Sequence, residues 1–435
     1  MSAQSRDWDR HGVIEGILSK VNIPRMARVA QFFEDNYIQD IPAAIAREFS
    51  RPEIAKVVQP GMTVAVPAGS RGVANIALIV KETVNQLKKL GAKPFIFPAM
   101  GSHGGATAEG QLEILKGYGI TEESMNVPVR SGMETVVIGQ NADGKAVHID
   151  RFAHEADGII VLGRIKPHTA FRNKYESGLV KMLAIGMGKQ QGAESCHNEG
   201  WGKMAHNIES FADVILAKKN ILFGLAVVEN AHNKTCIVEA MPAALLKERE
   251  EQLLVMAKER MPRLYILKFD VLVVDEIGKN ISGDGADPNI SGTYGTPHAS
   301  GGPVFQRYVI LDISRESRGN AVGIGMADFS TRRLFEKMDF DESYPNSLTS
   351  LVPAMSNIPM ILKNDKTAIQ AAIHCCTGID KSKPKIVRIK NTADIETILI
   401  SEALLEEAKN HPSMRLLGEP EPLVFDSQGN LAAGI

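Results

Sequence analysis

Four side chains in the first half of the chain are of types that move protons, attack as nucleophiles or bind metals. His103 lies between glycines in GSHGG, His168 follows a proline in GRIKPHTAF, and His197 lies in SCHNEGW. Lys181 follows His168 by thirteen residues, inside the apolar run SGLVKMLAIG. Imidazole exchanges protons near neutral pH and binds transition metals, and a desolvated amine loses charge and becomes nucleophilic. The set predicts acid/base chemistry beside a metal or an attached group.

Each of these residues also has a structural interpretation. His103 or His168 alone is more typical of a helix cap or a solvent contact, and His197 alone suits a packing contact near Trp201. Lys181 alone suits a lysine whose stem is buried while its amine reaches the surface. The two loop histidines together favour function, because a two-base racemase needs one group to remove a proton and another to supply one from the opposite face.

Polar, glycine-rich segments follow directly after four predicted strands. These segments are PAGSRG with Arg71, GSHGGAT with His103, GRIKPHTAF with His168, and GKNISGDGADPN with Lys279. Ligands of open parallel sheets bind at the carboxyl ends of the strands. We therefore expect all four side chains at the active site.

Short apolar runs alternate with amphipathic stretches, which is typical of α/β proteins with mostly parallel sheets. Thr107 is predicted to cap a helix that has Glu109 in its first turn. The predicted strands are 62–67, 93–100, 157–163, 270–278, 307–314, 321–329 and 385–390. The predicted helices are 74–91, 106–119 and 244–262.

We predict an α/β fold of two α/β domains with mostly parallel sheets and the active site in the cleft between them. The N-terminal domain, 1–264, would carry the attachment lysine and the catalytic histidines. The C-terminal domain would span 265–410. The tail, 411–435, is expected to pack back on a domain, with the N-terminal domain as the candidate.

Composition excludes several functional classes. The 435 residues include 44% hydrophobic and 23% charged residues, and 49 basic against 51 acidic residues give a net charge of −2. A nucleic-acid-binding protein needs a surplus of cations, so we expect no nucleic-acid partner. The sequence has no apolar run of the roughly 20 residues that span a bilayer, no signal peptide at its start and no CxxC pair among four cysteines. We therefore expect a cytoplasmic protein that does not associate with membranes.

Three groups of motifs resemble the nickel-dependent lactate racemase family and its 2-hydroxyacid racemase and epimerase relatives. They are GSHGGATAEGQ, KPHTAF…SGLVKMLAIGMG…CH and DEIGKN, in the family's order and over most of the chain. The resemblance implies a nickel-pincer nucleotide (pyridinium-3-thioamide-5-thiocarboxylic acid mononucleotide), loaded by cofactor-maturation enzymes. Lys181 would form the thioamide link to this cofactor, and His197 would complete the nickel coordination.

The resemblance also implies roles around the substrate. His103 and His168 match the family's pair of general bases, and Arg71 and Lys279 match cations near the substrate carboxylate. Guanidinium and ammonium groups are suited to hold a carboxylate. One histidine would take the hydroxyl proton of a small-molecule 2-hydroxyacid while hydride moves from C2 to the pincer. Return of hydride to the other face of the planar 2-keto acid, with the second histidine supplying the proton, would complete racemisation or epimerisation.

The chain departs from the family's pattern at three places. Ala68 stands where the family has an acidic residue, the loop between His168 and Lys181 contains the additional residues RNKYES, and Gly104 follows His103 where the family has a larger residue. The first difference changes a contact to cofactor or substrate, and the other two predict a reshaped pocket for which lactate need not be the substrate.

Two other functions are consistent with the same residues. His103, His168 and His197 could form a three-histidine zinc site of a hydrolase or lyase, although such a site gives Lys181 no role. A non-catalytic nucleotide- or metallocofactor-binding protein would need Lys181 and His197 but neither loop histidine.

Overall fold

A computed structural model describes residues 11–70 and 72–435 of the chain. These residues divide into two compact units. The central unit is Glu34–Met261, and the split unit combines residues 11–33 with Pro262–Ile435. Both are built of helices and sheets whose strands are mostly parallel, so the predicted α/β fold class is confirmed.

The elements are numbered in chain order. The strands are β1 (Met26–Gln31), β2 (Thr63–Ala68), β3 (Lys93–Pro98), β4 (Thr135–Gln140), β5 (Ala146–Asp150), β6 (Gly158–Arg164), β7 (Ile221–Glu229), β8 (Thr235–Pro242), β9 (Val271–Ile277), β10 (Arg307–Ile313), β11 (Phe329–Thr331), β12 (Met360–Leu362), β13 (Ile386–Ile389), β14 (Thr397–Ser401) and β15 (Met414–Leu416). The helices are α1 (Val13–Leu18), α2 (Ile41–Ser50), α3 (Pro52–Ala55), α4 (Ile76–Lys89), α5 (Ala108–Gly117), α6 (Glu122–Met125), α7 (Arg151–Glu155), α8 (Leu179–Lys181), α9 (Lys189–His197), α10 (Trp201–Lys218), α11 (Leu246–Arg260), α12 (Pro288–Ser291), α13 (Arg332–Lys337), α14 (Phe340–Ser350), α15 (Asp365–Cys375) and α16 (Leu405–Asn410).

The main sheet of the central unit has the order β3-β2-β6-β7-β8 within the described residues. Neighbouring strands are parallel except for β8, which pairs antiparallel with β7. Successive residues of β6 pack on opposite sides, with Ile159 in one hydrophobic core and Ile160 in the other. Both faces are therefore covered, which explains why these strands read as continuous apolar runs.

Local signals for the helix after β3 are confirmed. The side chain of Thr107 accepts a hydrogen bond from the backbone N–H of Gly110 at 3.0 Å, and Glu109 lies in the first turn of α5. Later in the unit, the segment after α8 forms a π-helix, Met182–Gly186, before α9 begins. Its wider turn is closed by the N–H of Met187, which donates to the carbonyl of Met182 at 2.9 Å.

The split unit has a sheet of order β12-β11-β10-β9-β13-β14-β1-β15 among its described residues. Strand β1 pairs antiparallel with β14 and β15, so residues 11–33 belong with the carboxyl-terminal half of the chain. The division predicted from the sequence instead placed residues 1–264 in one domain and expected the tail, 411–435, to pack on that domain. The difference arises because pairing between strands at opposite ends of the chain leaves no local signal. At the other boundary, α11 ends at Arg260, directly before the change of unit.

The predicted strand 321–329 is wrong. A 3₁₀-helix, Ile324–Met326, occupies its middle, and β11 begins only at Phe329. Gly323 has φ +100°, a left-handed backbone conformation that ends an extended run.

Across the described residues, no helix combines the length and the apolar character needed to cross a bilayer.

Candidate active site

The carboxyl ends of three adjacent strands in the central unit carry the polar loops. Strand β2 lies between β3 and β6, so the loops that carry His103 and His168 leave the sheet two strand spacings apart, about 10 Å. Ser70 follows β2 between them.

His103 is exposed at the tip of its loop, where Ser70 Oγ contacts the ring at Nδ1. The following residue, Gly104, has φ +67°, and a Cβ there would lie 2.6 Å from the backbone N of Gln111. The smaller residue after His103 is therefore required by the close approach of the loop to α5. Gln111 in turn donates from Nε2 to the carbonyl oxygens of Gly101 at 2.9 Å and His103 at 3.2 Å.

His168 is held through both its backbone and its ring. Its backbone N–H donates to Glu176 Oε2 at 2.7 Å, and ring Nδ1 accepts from the N–H of Ala170 at 3.0 Å. Ring Nε2 lies 2.7 Å from Lys181 Nζ. Because Nδ1 is occupied by the Ala170 N–H, Nε2 is the ring atom that faces the Lys181 side chain.

The loop after β6 folds back on itself, and this brings Lys181 to His168. Lys166 and Ser177 form an isolated antiparallel bridge, with N···O distances of 2.8 and 3.1 Å. Helix α8 begins two residues later, at Leu179. The residues between Lys166 and Ser177, including most of the RNKYES segment, form the closed loop. As a result, the side chains of His168 and Lys181 are in direct contact although they lie thirteen residues apart in the sequence.

A fully buried carboxylate lies at the start of the lysine helix. Glu250 of α11 accepts from the backbone N–H of Val180 at 2.8 Å, and Oε1 of the same carboxyl has no hydrogen-bond partner among the residues that the structure describes. Burial raises the pKa of Glu250 to about 7, against which hydrogen bonds from Val180 and Leu179 act. Through its hydrogen bond from Val180, Glu250 fixes the first turn of the helix that presents Lys181.

His197 lies in the last turn of α9, where ring Nδ1 contacts the carbonyl oxygen of Ala193. A carbonyl only accepts, so Nδ1 carries the proton and Nε2 carries the lone pair that a metal would need. Burial lowers the pKa of His197, which keeps the ring neutral. Trp201 lies between the two histidines, with ring centroids 5.5 Å from His168 and 5.8 Å from His197.

The structure therefore brings three of the sequence-predicted side chains into one cluster: Lys181 contacts His168, and Trp201 connects His168 to His197. His103 lies on the neighbouring loop of the same sheet. Lys279 belongs to the split unit, where its Nζ donates to the carbonyl of Gly283 at 2.7 Å and its N–H donates to Ser317 Oγ at 3.0 Å. Arg71 lies outside the described residues.

Within residues 11–70 and 72–435, no group of three or more His, Cys, Asp or Glu side chains is placed to hold a metal ion. The three-histidine zinc site considered from the sequence is therefore not formed by these residues. A metal at His197 would need ligands from a bound group, which the resemblance had implied.

Several residues of the site escaped sequence reasoning. Ser70, Glu176 and Trp201 had no signal, because polar loop residues and a single aromatic residue are common. Glu250 had one: in α11 it shares the buried face with Leu246, Leu253 and Leu254. A carboxylate at an apolar position of an amphipathic helix indicates a buried partner.

A model of the lactate racemase N-terminal domain family matches residues 19–207. Residues 19–207 are therefore similar to the N-terminal domain of lactate racemases. His103, His168, Lys181 and His197 all lie within the matched residues. The match makes a lactate racemase-like function the candidate for this chain.

Two solved structures are similar to the chain. The lactate racemase apoprotein from Thermoanaerobacterium thermosaccharolyticum is 14% identical with a TM-score of 0.48, and the match covers 78% of this chain and 88% of that one. A protein from Thermotoga maritima is 13% identical with a TM-score of 0.49, covering 83% of this chain and 99% of the other. A comparison with curated proteins gives no match.

Proposed function

We propose that this chain is a cytoplasmic enzyme that racemises or epimerises a 2-hydroxyacid, using a nickel-pincer nucleotide attached to Lys181. The observation that carries the proposal is the cluster of Lys181, His168 and His197 inside the match to the lactate racemase N-terminal domain. It joins a nucleophilic amine, an acid/base group and a neutral imidazole in one place.

The described residues fit the proposed cofactor. Lys181 Nζ lies 2.7 Å from Nε2 of His168, so an acid/base group adjoins the amine that would be attached to the cofactor. His197 presents Nε2 as a ligand, fixed by the contact of Nδ1 with Ala193. When bound, the cofactor would supply a reversible hydride acceptor.

Proton transfer is assigned to the two loop histidines. Ser70 engages Nδ1 of His103, so we assign Nε2 of that ring to exchange with the substrate hydroxyl. Nε2 of His168 faces Lys181 in the unmodified chain. Attachment through the lysine nitrogen would leave no ammonium group beside His168, and we assign Nε2 of that ring to the substrate on the opposite face.

The substrate carboxylate is assigned to Arg71 and Lys279 on the basis of the motif resemblance. Both are of residue types that pair with carboxylates. Gly104 and the closed loop before Lys181 differ from the lactate enzyme's pattern, and we propose that the substrate is a 2-hydroxyacid other than lactate.

The experiment that tests this function begins with protein made together with cofactor-maturation enzymes. Intact mass and peptide mapping should give an adduct on Lys181, and elemental analysis should give about one nickel per chain. Lys181→Arg, which keeps the positive charge, should lose the adduct. The loaded protein would then be screened with single enantiomers of 2-hydroxyacids by chiral chromatography.

Two outcomes would contradict the proposal. Stoichiometric zinc with neither adduct nor nickel would favour a hydrolase or lyase. An adduct and nickel without racemisation of any 2-hydroxyacid, together with unchanged cofactor binding in His103→Ala and His168→Ala, would favour a non-catalytic carrier.

A further inference from the structure

Lys189 is an unusual residue for its position. It begins α9 with φ +55°, a left-handed conformation that a side chain makes costly, and its side chain is completely buried. Glycine would relieve the backbone and would leave no charge to bury. The presence of lysine therefore indicates that its ammonium group is needed where it lies.

The ammonium group donates two hydrogen bonds and lies within ion-pair distance of one carboxylate oxygen. Nζ donates to the carbonyl oxygen of Pro98, to Gln111 Oε1 at 3.0 Å, and it pairs with Asp150 Oδ2 at 3.2 Å. Asp150 is also completely buried. Burial lowers the pKa of Lys189 and raises that of Asp150, and their mutual attraction opposes both shifts. The pair is stable only because each charge has the other.

Two of the three acceptors belong to the ends of the His103 loop. Pro98 is the last residue of β3, before the loop, and Gln111 lies in α5, after it. Because Lys189 engages the oxygen of the Gln111 amide, the amide nitrogen must point the other way. It does so, donating to the carbonyls of Gly101 and His103 at 2.9 and 3.2 Å.

The same residue also anchors the helix that ends in His197. Lys189 is the first residue of α9, and His197 is the last. Asp150, its ion-pair partner, is tied to the preceding segment, since its backbone N–H donates to the carbonyl of Met187 at 2.7 Å. The ammonium group of Lys189 thus connects the loop that carries His103 to the helix that carries His197.

We propose that Lys189 is a positioning residue. Through the amide of Gln111, it fixes the main chain at His103 relative to α9 and His197. The roles of the two histidines rest on the proposed function, whereas their placement is a property of the unloaded chain. Lys189 touches neither substrate nor cofactor in this assignment.

The test uses the full-length, unloaded chain labelled with ¹⁵N-histidine, in which NMR shifts of the ring nitrogens report the tautomer of each imidazole. His103→Asn and His197→Asn assign the signals. In Lys189→Met, the His103 and His197 signals should lose their single-tautomer values. Gln111→Glu keeps an oxygen for Lys189 but removes the donors to Gly101 and His103, so His103 alone should change.

Matched controls separate positioning from general destabilisation. Arg388 and Asp275 form a mostly buried ion pair in the split unit, with N···O distances of 2.7 and 2.8 Å. Arg388→Met removes a comparable charge pair and should leave both histidine signals unchanged. If Lys189→Met does not fold, Gln111→Glu with Gln111→Leu carries the test, since both lose the amide donors.

In loaded enzyme, Gln111→Glu should lower kcat about tenfold and change KM less than about twofold, because a displaced acid/base group affects the chemical step. Folded Gln111→Glu protein with wild-type His103 signals would overturn the proposal. So would equal changes in Arg388→Met. If the chain proves not to be a racemase, the NMR result on unloaded protein is unaffected, so the two failures are distinguishable.

Discussion

The two loop histidines of the central unit are held in opposite ways. His103 lies exposed on a glycine-rich loop, whose main chain is fixed from below by the amide of Gln111. His168 is fixed by charged groups, since Glu176 holds its backbone and Lys181 contacts its ring. The position of His103 thus depends on the conformation of its backbone, whereas the position of His168 depends on ionisable side chains. The first should respond to changes in packing, and the second to changes in charge.

Removing either imidazole should have the largest effect. In loaded enzyme, His103→Asn and His168→Asn should each lower kcat/KM about 10²- to 10⁴-fold, the usual contribution of a general acid or base. For a racemisation, kcat/KM should fall equally in both directions, because the equilibrium constant is one. His206→Asn, at an exposed histidine paired with Asp143, should keep the wild-type rate.

The two variants should also differ from each other. Each keeps the proton acceptor for one enantiomer, so in a single turnover each should still form the 2-keto acid from one enantiomer, and the two variants should prefer opposite ones. The same preference in both variants would contradict the assignment to opposite faces.

Glu250→Gln tests, through the pH dependence of stability, how ionisable groups hold the segment of Lys181 and His168. The native pKa is about 7 against an ordinary value of 4.5. Because the carboxyl pKa is raised in the folded state, the unfolded state loses its proton at a lower pH than the folded state does. The contribution of Glu250 to stability therefore falls as pH rises from about 4.5 to 7 and stays constant above about pH 7. Glutamine does not titrate, so the variant does not lose stability in this way. The free energy of unfolding of the wild type, measured relative to that of Glu250→Gln, should therefore fall by on the order of 3 kcal/mol between these pH values.

Urea denaturation at pH 5 and pH 7.5 would measure this difference. Glu251→Gln, at the exposed neighbouring position of α11, should follow the wild type at both pH values. A wild type whose stability relative to Glu250→Gln does not change with pH would mean that Glu250 is ionised throughout the range.

Glu176→Gln should have a smaller effect on stability. The buried carboxylate accepts from the backbone of His168 and pairs with Lys258 at 2.6 Å and Arg172 at 3.2 Å. Both cations are partly exposed, so water replaces some of the lost attraction, and the free energy of unfolding should drop by about 2 kcal/mol. Urea denaturation measures it, with Lys258→Met as a milder control. A larger loss in Lys258→Met than in Glu176→Gln would reverse the order of importance.

Ser70→Ala should have the smallest effect. Loss of one hydrogen bond to a neutral ring corresponds to about 1 kcal/mol, or a few-fold lower kcat in loaded enzyme. Adding Ser70→Ala to His103→Asn should cost nothing further, because the hydroxyl would act through the ring it contacts. Additive losses in the double variant would place the role of Ser70 elsewhere.

The comparison also marks how far the sequence could predict this site. Apolar runs predicted β2, β3 and β6, and strand ends predicted the loops of His103 and His168, because a parallel sheet gathers those ends on one side. The contact between Lys181 and His168 was not predictable from spacing, since it depends on the bridge between Lys166 and Ser177.

Buried charges were the other part that the sequence did not reveal. A lysine at a helix start is normally solvated, so Lys189 gave no sign that its ammonium group lies at the junction of a loop and a helix. The position of β1 in the split unit was equally hidden, because its partners β14 and β15 lie at the far end of the chain.

The π-helix Met182–Gly186 makes the number of residues in this segment part of the site. A π turn is equivalent to one extra residue in an α-helix. Deleting one residue between Lys181 and His197 would restore a regular α turn and rotate the lysine about 100° relative to α9, away from His168. Substitutions along this segment can leave the geometry intact, but insertions and deletions cannot. A chain with a different number of residues here would present its lysine in a different direction from α9.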